Sequence, residues 1–186
     1  LEVSELFLSE TKNIHYKTFR LDAEHYRKRY QSLLNLVSKS NYNTLLDVIQ
    51  QPIITGHTPS MEIESYYGGE VAFVKTDNLR EGRILDNFND YLSSSGNQKI
   101  IKSALEVDDL IVTIIGADYP IVGRSAIVHK EILPANINQN IALIRLDKNK
   151  INPFYCSVYM NTIYGRGLLH YHSRQTEQVN LNCREV

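Results

Sequence analysis

From Ile53 onward the sequence is written in short β-rich runs, and that texture confines most of the chain to sheet. Val71–Val74, Leu110–Ile115, Ile121–Val122 and Ala126–Val128 are such runs, the last two flanking Gly123-Arg124-Ser125. Ile141–Leu146 alternates Ile141, Leu143 and Arg145 against Ala142, Ile144 and Leu146, which predicts a half-buried strand. Helices are expected only between and before these runs. Asn97 is a candidate cap for a short helix through Ile100, Ile101, Ala104 and Leu105, after a loop over Ser93–Gly96. Asn152-Pro153 reads as a helix start, with proline where a missing N–H costs nothing. Tyr155, Tyr159 and Ile163 form its stripe, and Gly165 is placed to close it.

Before Ile53 the pattern is helical. Asp22 is a plausible N-cap for a stripe of Tyr26, Tyr30, Leu33, Leu34 and Val37. Thr44 with Asp47 resembles a second capped start, which Gln51-Pro52 ends. The expected fold is therefore α+β: a twisted, mixed or antiparallel β-sheet domain with short helices over residues 52–186, behind a helical leader or linker over 1–51.

Composition narrows the function classes. Twenty Lys and Arg against 21 Asp and Glu leave a net charge of -1, unlike a protein that grips nucleic acid by bulk charge. A reader whose positive charge sits on one face stays open. There is no long apolar run, so no membrane span is expected. Two cysteines, Cys156 and Cys183, lack both disulfide-framework numbers and metal-ligand spacing, and Cys156 reads as a buried free thiol. Leu1–Glu10 lacks the basic start and apolar core of a signal peptide, so a cytoplasmic location is expected.

Catalytic motifs are weak. Asn152-Pro153-Phe154-Tyr155 resembles an amino-methyltransferase tetrapeptide, but it lacks the second proline, and no glycine-rich strand-to-helix turn for S-adenosylmethionine accompanies it. His170-Tyr171-His172 would place two imidazoles on one strand face without a third ligand at a recognisable spacing, and reads as a surface pair. His57 lies in a loop by its neighbouring glycine and proline, and His15 and His25 have solvated leader contexts without a partner. Glu106, Asp108 and Asp109 precede an uncharged strand, which favours a turn-and-cap role over a magnesium site. Ser125 lacks the glycine elbow of a hydrolase. What remains is a set of Lys, Arg, Asn and Gln at strand ends and loops, residue types that read bases and hold phosphates.

Several motifs in order carry a resemblance. Ile54-Thr55-Gly56-His57-Thr58-Pro59, Tyr67-Gly68 and Phe73-Val74-Lys75-Thr76-Asp77-Asn78-Leu79 come first. Leu110–Gly116, Gly123-Arg124-Ser125-Ala126-Ile127-Val128 and Pro134–Arg145 with its Asn138-Gln139-Asn140 follow. Asn161-Thr162-Ile163-Tyr164-Gly165 and Gln178-Val179-Asn180-Leu181-Asn182 close the series. Together they resemble the target recognition domain of type I restriction-modification specificity subunits and of related fused DNA adenine methyltransferases. Ala117-Asp118-Tyr119-Pro120 lengthens one turn relative to that pattern, and Ser173-Arg174-Gln175-Thr176 replaces a Gly-Ser/Thr-rich turn. The family's long spacer helix after the domain is absent, which reads as truncation.

The resemblance implies a noncatalytic, cofactor-free module that reads one half-site of double-stranded DNA. Its implied partner is a methyltransferase subunit or fused domain, with a restriction subunit as a further member. The DNA-binding candidates are Lys75, Asp77, Arg80, Arg124, Asn138, Gln139, Arg174 and Gln175. Asn138 and Gln139 are equally candidates for satisfying buried backbone groups at a strand start, and the leader stripe is expected to pack on this domain or on the partner. The alternatives are a small methyltransferase or nuclease, and a protein–protein interaction module.

Overall fold

The computed structural model describes residues 25, 27–40, 42–118, 120–175 and 178–183. The elements in chain order are α1 (Lys28–Ser38), α2 (Leu45–Val48), β1 (Ile54–Thr55), β2 (Tyr67–Val74), β3 (Leu79–Arg80), β4 (Arg83–Ile84) and β5 (Tyr91–Leu92). They continue with α3 (Ser94–Lys99), β6 (Leu110–Thr113), β7 (Ile115–Gly116), β8 (Ser125–Ile127), β9 (Ala135–Ile137) and β10 (Ile141–Ile144). The last are α4 (Pro153–Asn161), α5 (Ile163–His172), β11 (Arg174–Gln175) and β12 (Val179–Asn180). The fold is α+β; among the described residues β2 with β9 is the parallel pair and the other ladders are antiparallel.

The central sheet runs β1-β10-β6-β8 and is covered on both faces. Successive side chains of a strand point to opposite faces. Leu110, Val112, Ala142 and Ile144 accordingly enter one core with Cys156, Met160, Leu169 and Leu181. Ile111, Ala126, Ile141 and Leu143 enter a second core with Val74, Leu79, Ala135 and Ile137. This corrects the half-buried strand expected over Ile141–Leu146: all of Ile141–Ile144 is buried, because both phases of the alternation are apolar and each has its own core.

Other expectations are corrected by turn chemistry. The run Leu110–Ile115 is two strands, β6 in the central sheet and β7 paired with β12. Ile121–Val122 forms no strand; the amide of Ile121 is taken by Asp118 Oδ1 at 3.1 Å, and Gly123 turns the chain at φ 85°. Ser93, not Asn97, caps α3, its hydroxyl accepting from Gly96 N at 3.1 Å, and a separate 3-10 turn follows at Ile101–Ser103. Gly165 does not close a helix. Thr162 ends α4 and caps α5, accepting from Gly165 N. Gly165 is needed for space, since a Cβ there would lie 2.3 Å from Tyr159 O.

The outer stripe of α4 is also corrected: Tyr155, Tyr159 and Ile163 are exposed, and Pro153, Cys156, Ser157 and Met160 face the sheet. Asn152 caps α4 as expected, accepting from Phe154 N at 2.9 Å. Thr44 and Asp47 form their capped turn, with both the Thr44 amide and its hydroxyl donating to Asp47 Oδ2.

Asp22 and Tyr26 of the leader stripe, like His15, lie outside the described residues. The rest of the stripe packs on α5 through Tyr30, whose ring meets Tyr171 edge-on at 5.9 Å. His25 is not solvated, as expected of it, but 6% exposed, stacked on Tyr171 with Nδ1 2.9 Å from Tyr171 O. No helix among the described residues is long and apolar enough to cross a membrane.

Candidate nucleic-acid interface

Strand direction gathers the polar loops at one end of the central sheet. The β2–β9 pair is parallel, so Lys75 and Asn138 leave their strands side by side, and Asn138 N donates to Val74 O at 3.2 Å. In the antiparallel pairs Thr55 lies opposite Ala142 and Thr113 opposite Ile141. The loop after β1, the turn after β6 and the start of β10 therefore share that end. Ser125 opposite Val112 brings Arg124 to it, and β7 carries β12 and β11 to the same end. The candidates, from Lys75 through Gln175, thus come from separate parts of the chain to one rim.

Their local contacts differ. Lys75 is ion-paired with Asp90 and lies 5.6 Å above the Phe73 ring. Asp77 is exposed, and its side chain has no partner among the described residues. Arg80 Nη1 donates only to the carbonyls of Asp77 and Leu79, at 2.9 and 3.0 Å, so its charge meets no carboxylate among the described residues. Asn138 is buried and its Oδ1 accepts from Asn140 N at 3.2 Å, which makes it a turn-former. Gln139 is exposed and bonded to Thr58 of the neighbouring loop. Arg174 is exposed on β11, and Gln175 follows it in the same strand.

Arg124 belongs to a denser cluster. Its Nε donates to Pro120 O at 3.0 Å and stands 3.4 Å from Glu81 Oε1. Arg166, from the first half of α5, donates Nη2 to the same Pro120 carbonyl at 2.6 Å and sets Nη1 3.4 Å from the same Oε1. Burial lowers the pKa of Arg166, which Glu81 partly offsets. The Glu81 carboxyl is held below its usual range, first by its own backbone amide and further by the two guanidiniums.

A second residue positions Arg124. Ser125 turns its peptide groups away from β6, toward α4 and the β3–β4 turn. Its carbonyl accepts from Gly82 N at 2.9 Å and Asn161 Nδ2 at 2.8 Å, and its N–H donates to Asn161 Oδ1 at 3.2 Å. Asn161 thus closes the free edge of β8 as a side-chain substitute for a neighbouring strand.

The sequence reading missed Glu81, Asn161 and Arg166. Asn161 stood in the quoted Asn-Thr-Ile-Tyr-Gly motif, but its job depends on α4 lying over β8. Arg166 sat just past the expected end of a helix that in fact restarts at Thr162.

The opposite end is acidic and structural. Asp109 is 2% exposed, accepts from Glu106 N at 2.7 Å and binds Arg145 through both oxygens, at 2.8 and 2.7 Å. That contact raises the pKa of Arg145. Asp108 takes a left-handed conformation, φ 69°, and pairs with Lys148 at 2.7 Å. The turn-and-cap reading of these acids holds, and a recess of about 350 Å³ beside them is lined by the same residues.

Among the described residues no three metal-binding side chains cluster. His170 and His172 lie on α5 rather than on a strand, and His170 Nε2 is 3.0 Å from Val122 O. Cys156 is free and buried, its thiol pushed up to about 11 by burial.

No family model matches the chain, and no curated protein does. Among solved structures it is similar to a chain from work on complex assembly and conformational transition of the type I R-M system, at 16% identity and TM-score 0.45. That match covers 71% of this chain and 32% of the other. It is also similar to the S subunit of a type I restriction-modification system from M. genitalium, at 14% identity and TM-score 0.46, covering 75% and 30%. The chain spans about a third of the length of each of these proteins.

Proposed function

We propose that this chain is a noncatalytic target recognition domain that reads one half-site of double-stranded DNA for a methyltransferase partner, in a restriction-modification system. Residues 52–186 form the reader and 1–51 its leader. The observation that carries the reading is the gathering of Lys75, Arg80, Arg83, Arg124 and Arg174, with exposed Gln139, at one end of the sheet. The acidic cluster at Glu106–Asp109 occupies the other end. A protein of net charge -1 can hold a polyanion only through such a separation of charge.

Within this rim the roles are assigned by residue chemistry. Arg80, Arg83 and Arg174 are assigned to phosphates or guanine edges, and Gln139 and Gln175, by residue type, to adenine. Asp77, exposed beside Arg80, is placed to accept from a cytosine amino group. Asn138 supports the loop that carries Gln139.

The testing experiment is retention of a randomised duplex library at low salt, with sequencing of what is kept. Enrichment of a short asymmetric motif is expected. Retention without enrichment, lost steeply with salt, would mean backbone contacts alone.

One observation favours a second reading, a protein-interaction module. Phe154, Tyr155, Val158, Tyr159, Ile163 and Tyr164 are all exposed on the outer face of α4 and the start of α5. That reading predicts no DNA retention at any salt.

A further inference from the structure

Glu81 sits where an anion is wanted. Two guanidiniums, Arg124 and Arg166, converge on its Oε1, each at 3.4 Å, and both also donate to Pro120 O. The distances are long for charge-assisted hydrogen bonds, which run about 2.7–2.9 Å. The Glu81 side chain is 53% exposed, on the two-residue turn between β3 and β4, and can swing away without disturbing a core. Arg124 uses only its Nε: both of its Nη groups lack a hydrogen-bond partner among the described residues. A planar fork with two open donors suits a bidentate phosphate.

We infer that Glu81 is a built-in stand-in for a DNA phosphate, displaced when a backbone phosphodiester binds Arg124 and Arg166. The inference rests on the DNA-reading function and adds to it a site and a purpose. In the free protein the carboxylate keeps both arginines in place. On DNA it sets a threshold, because a phosphate must outcompete it. Weak, sequence-independent contacts are thereby discouraged, and a duplex that fits the rest of the rim gains the full clamp. Glu81 is thus a specificity-determining residue that touches no base.

The test compares duplex binding by fluorescence anisotropy, on a random-sequence DNA and over a salt series. The proteins are the unsubstituted chain, Glu81→Gln, Glu81→Ser, Glu131→Gln, Arg124→Gln and the Glu81→Gln/Arg124→Gln pair. Glu131 is an exposed acid on the connection that leads from β8 to β9, away from the rim, so its substitution removes the same charge elsewhere. Both Glu81 variants are expected to bind random DNA roughly fivefold more tightly, the release of one partly exposed ion pair. Glu131→Gln is expected to match the unsubstituted chain, and the gain should shrink once Arg124 is replaced.

Equal gains from Glu81→Gln and Glu131→Gln would mean bulk charge and overturn the inference. So would unsubstituted binding with no gain at Glu81. If no protein binds duplex DNA, the reading function falls and the inference falls with it.

Discussion

Replacing Asn161 by alanine should unfasten the edge on which Arg124 is mounted. The side chain meets four polar atoms: Nδ2 shares its two hydrogens among Ser125 O at 2.8 Å, Ser125 Oγ at 2.9 Å and Ser157 O at 2.8 Å, and Oδ1 accepts from Ser125 N at 3.2 Å. Their removal is unequal. Ser125 O keeps Gly82 N, but Ser125 N–H loses its acceptor inside a residue that is 0% exposed. An unsatisfied buried amide costs about 1–3 kcal/mol, and the lost neutral bonds add about 1 kcal/mol more. A total near 3 kcal/mol lowers the Tm of a chain this size by roughly 6–12 °C.

Differential scanning calorimetry and urea titration measure the loss, and DNA retention in the folded range should fall with it. Asn161→Asp separates the parts of the clamp. It keeps an acceptor for Ser125 N–H but sets a carboxylate against two carbonyl oxygens, so it should be no better tolerated at neutral pH. A loss under about 0.5 kcal/mol for the alanine variant, the range of an ordinary surface change, would refute the argument that Asn161 replaces a missing strand.

Arg83→Ala should leave stability unchanged, since the side chain is exposed with no partner among the described residues. It should weaken duplex binding across sequences and reduce the log–log salt slope by about 0.9, as for one lost phosphate contact; an unchanged slope removes Arg83 from the interface. Asp109→Asn breaks a buried pair in which Arg145 keeps Glu106 at 3.0 Å, so a loss near 3 kcal/mol is expected, the lower end for such pairs. A urea midpoint equal to that of the unsubstituted protein would contradict it. Iodoacetamide at pH 8 should alkylate Cys183 well before Cys156. The buried Cys156 thiol stays protonated until the pH approaches its raised value of about 11. Peptide mass mapping reads the order, and equal rates would contradict the packing of α4.

Much of the local structure was legible because its causes lie within a few residues. Asn152-Pro153 and Thr44 with Asp47 start helical turns through their own neighbours' amides, and the β-branched runs 71–74, 110–113 and 126–127 are strands. Where a local signal misled, a distant contact had overruled it. Ile141–Leu146 alternates, but both phases find an apolar core. The tyrosine stripe on α4 has helical spacing, but the sheet takes the other face, with Cys156 and Met160. Gly165 looked like a stop because glycine commonly ends helices; here it admits the Tyr159 carbonyl at a helix–helix corner.

The sequence by itself determined which residue types were available: a near-neutral chain with a run of Arg, Asn and Gln at strand ends. Only the tertiary structure decided where they stand. Antiparallel pairing and the parallel β2–β9 pair bring loops from residues 56, 75, 124, 138 and 174 to one rim and leave Asp109 at the other. Charge separation is a property of strand direction, and composition does not contain it. The Glu81–Arg124–Arg166 cluster joins residues from three distant parts of the chain, and only the packing of α5 over residues 120–124 assembles it.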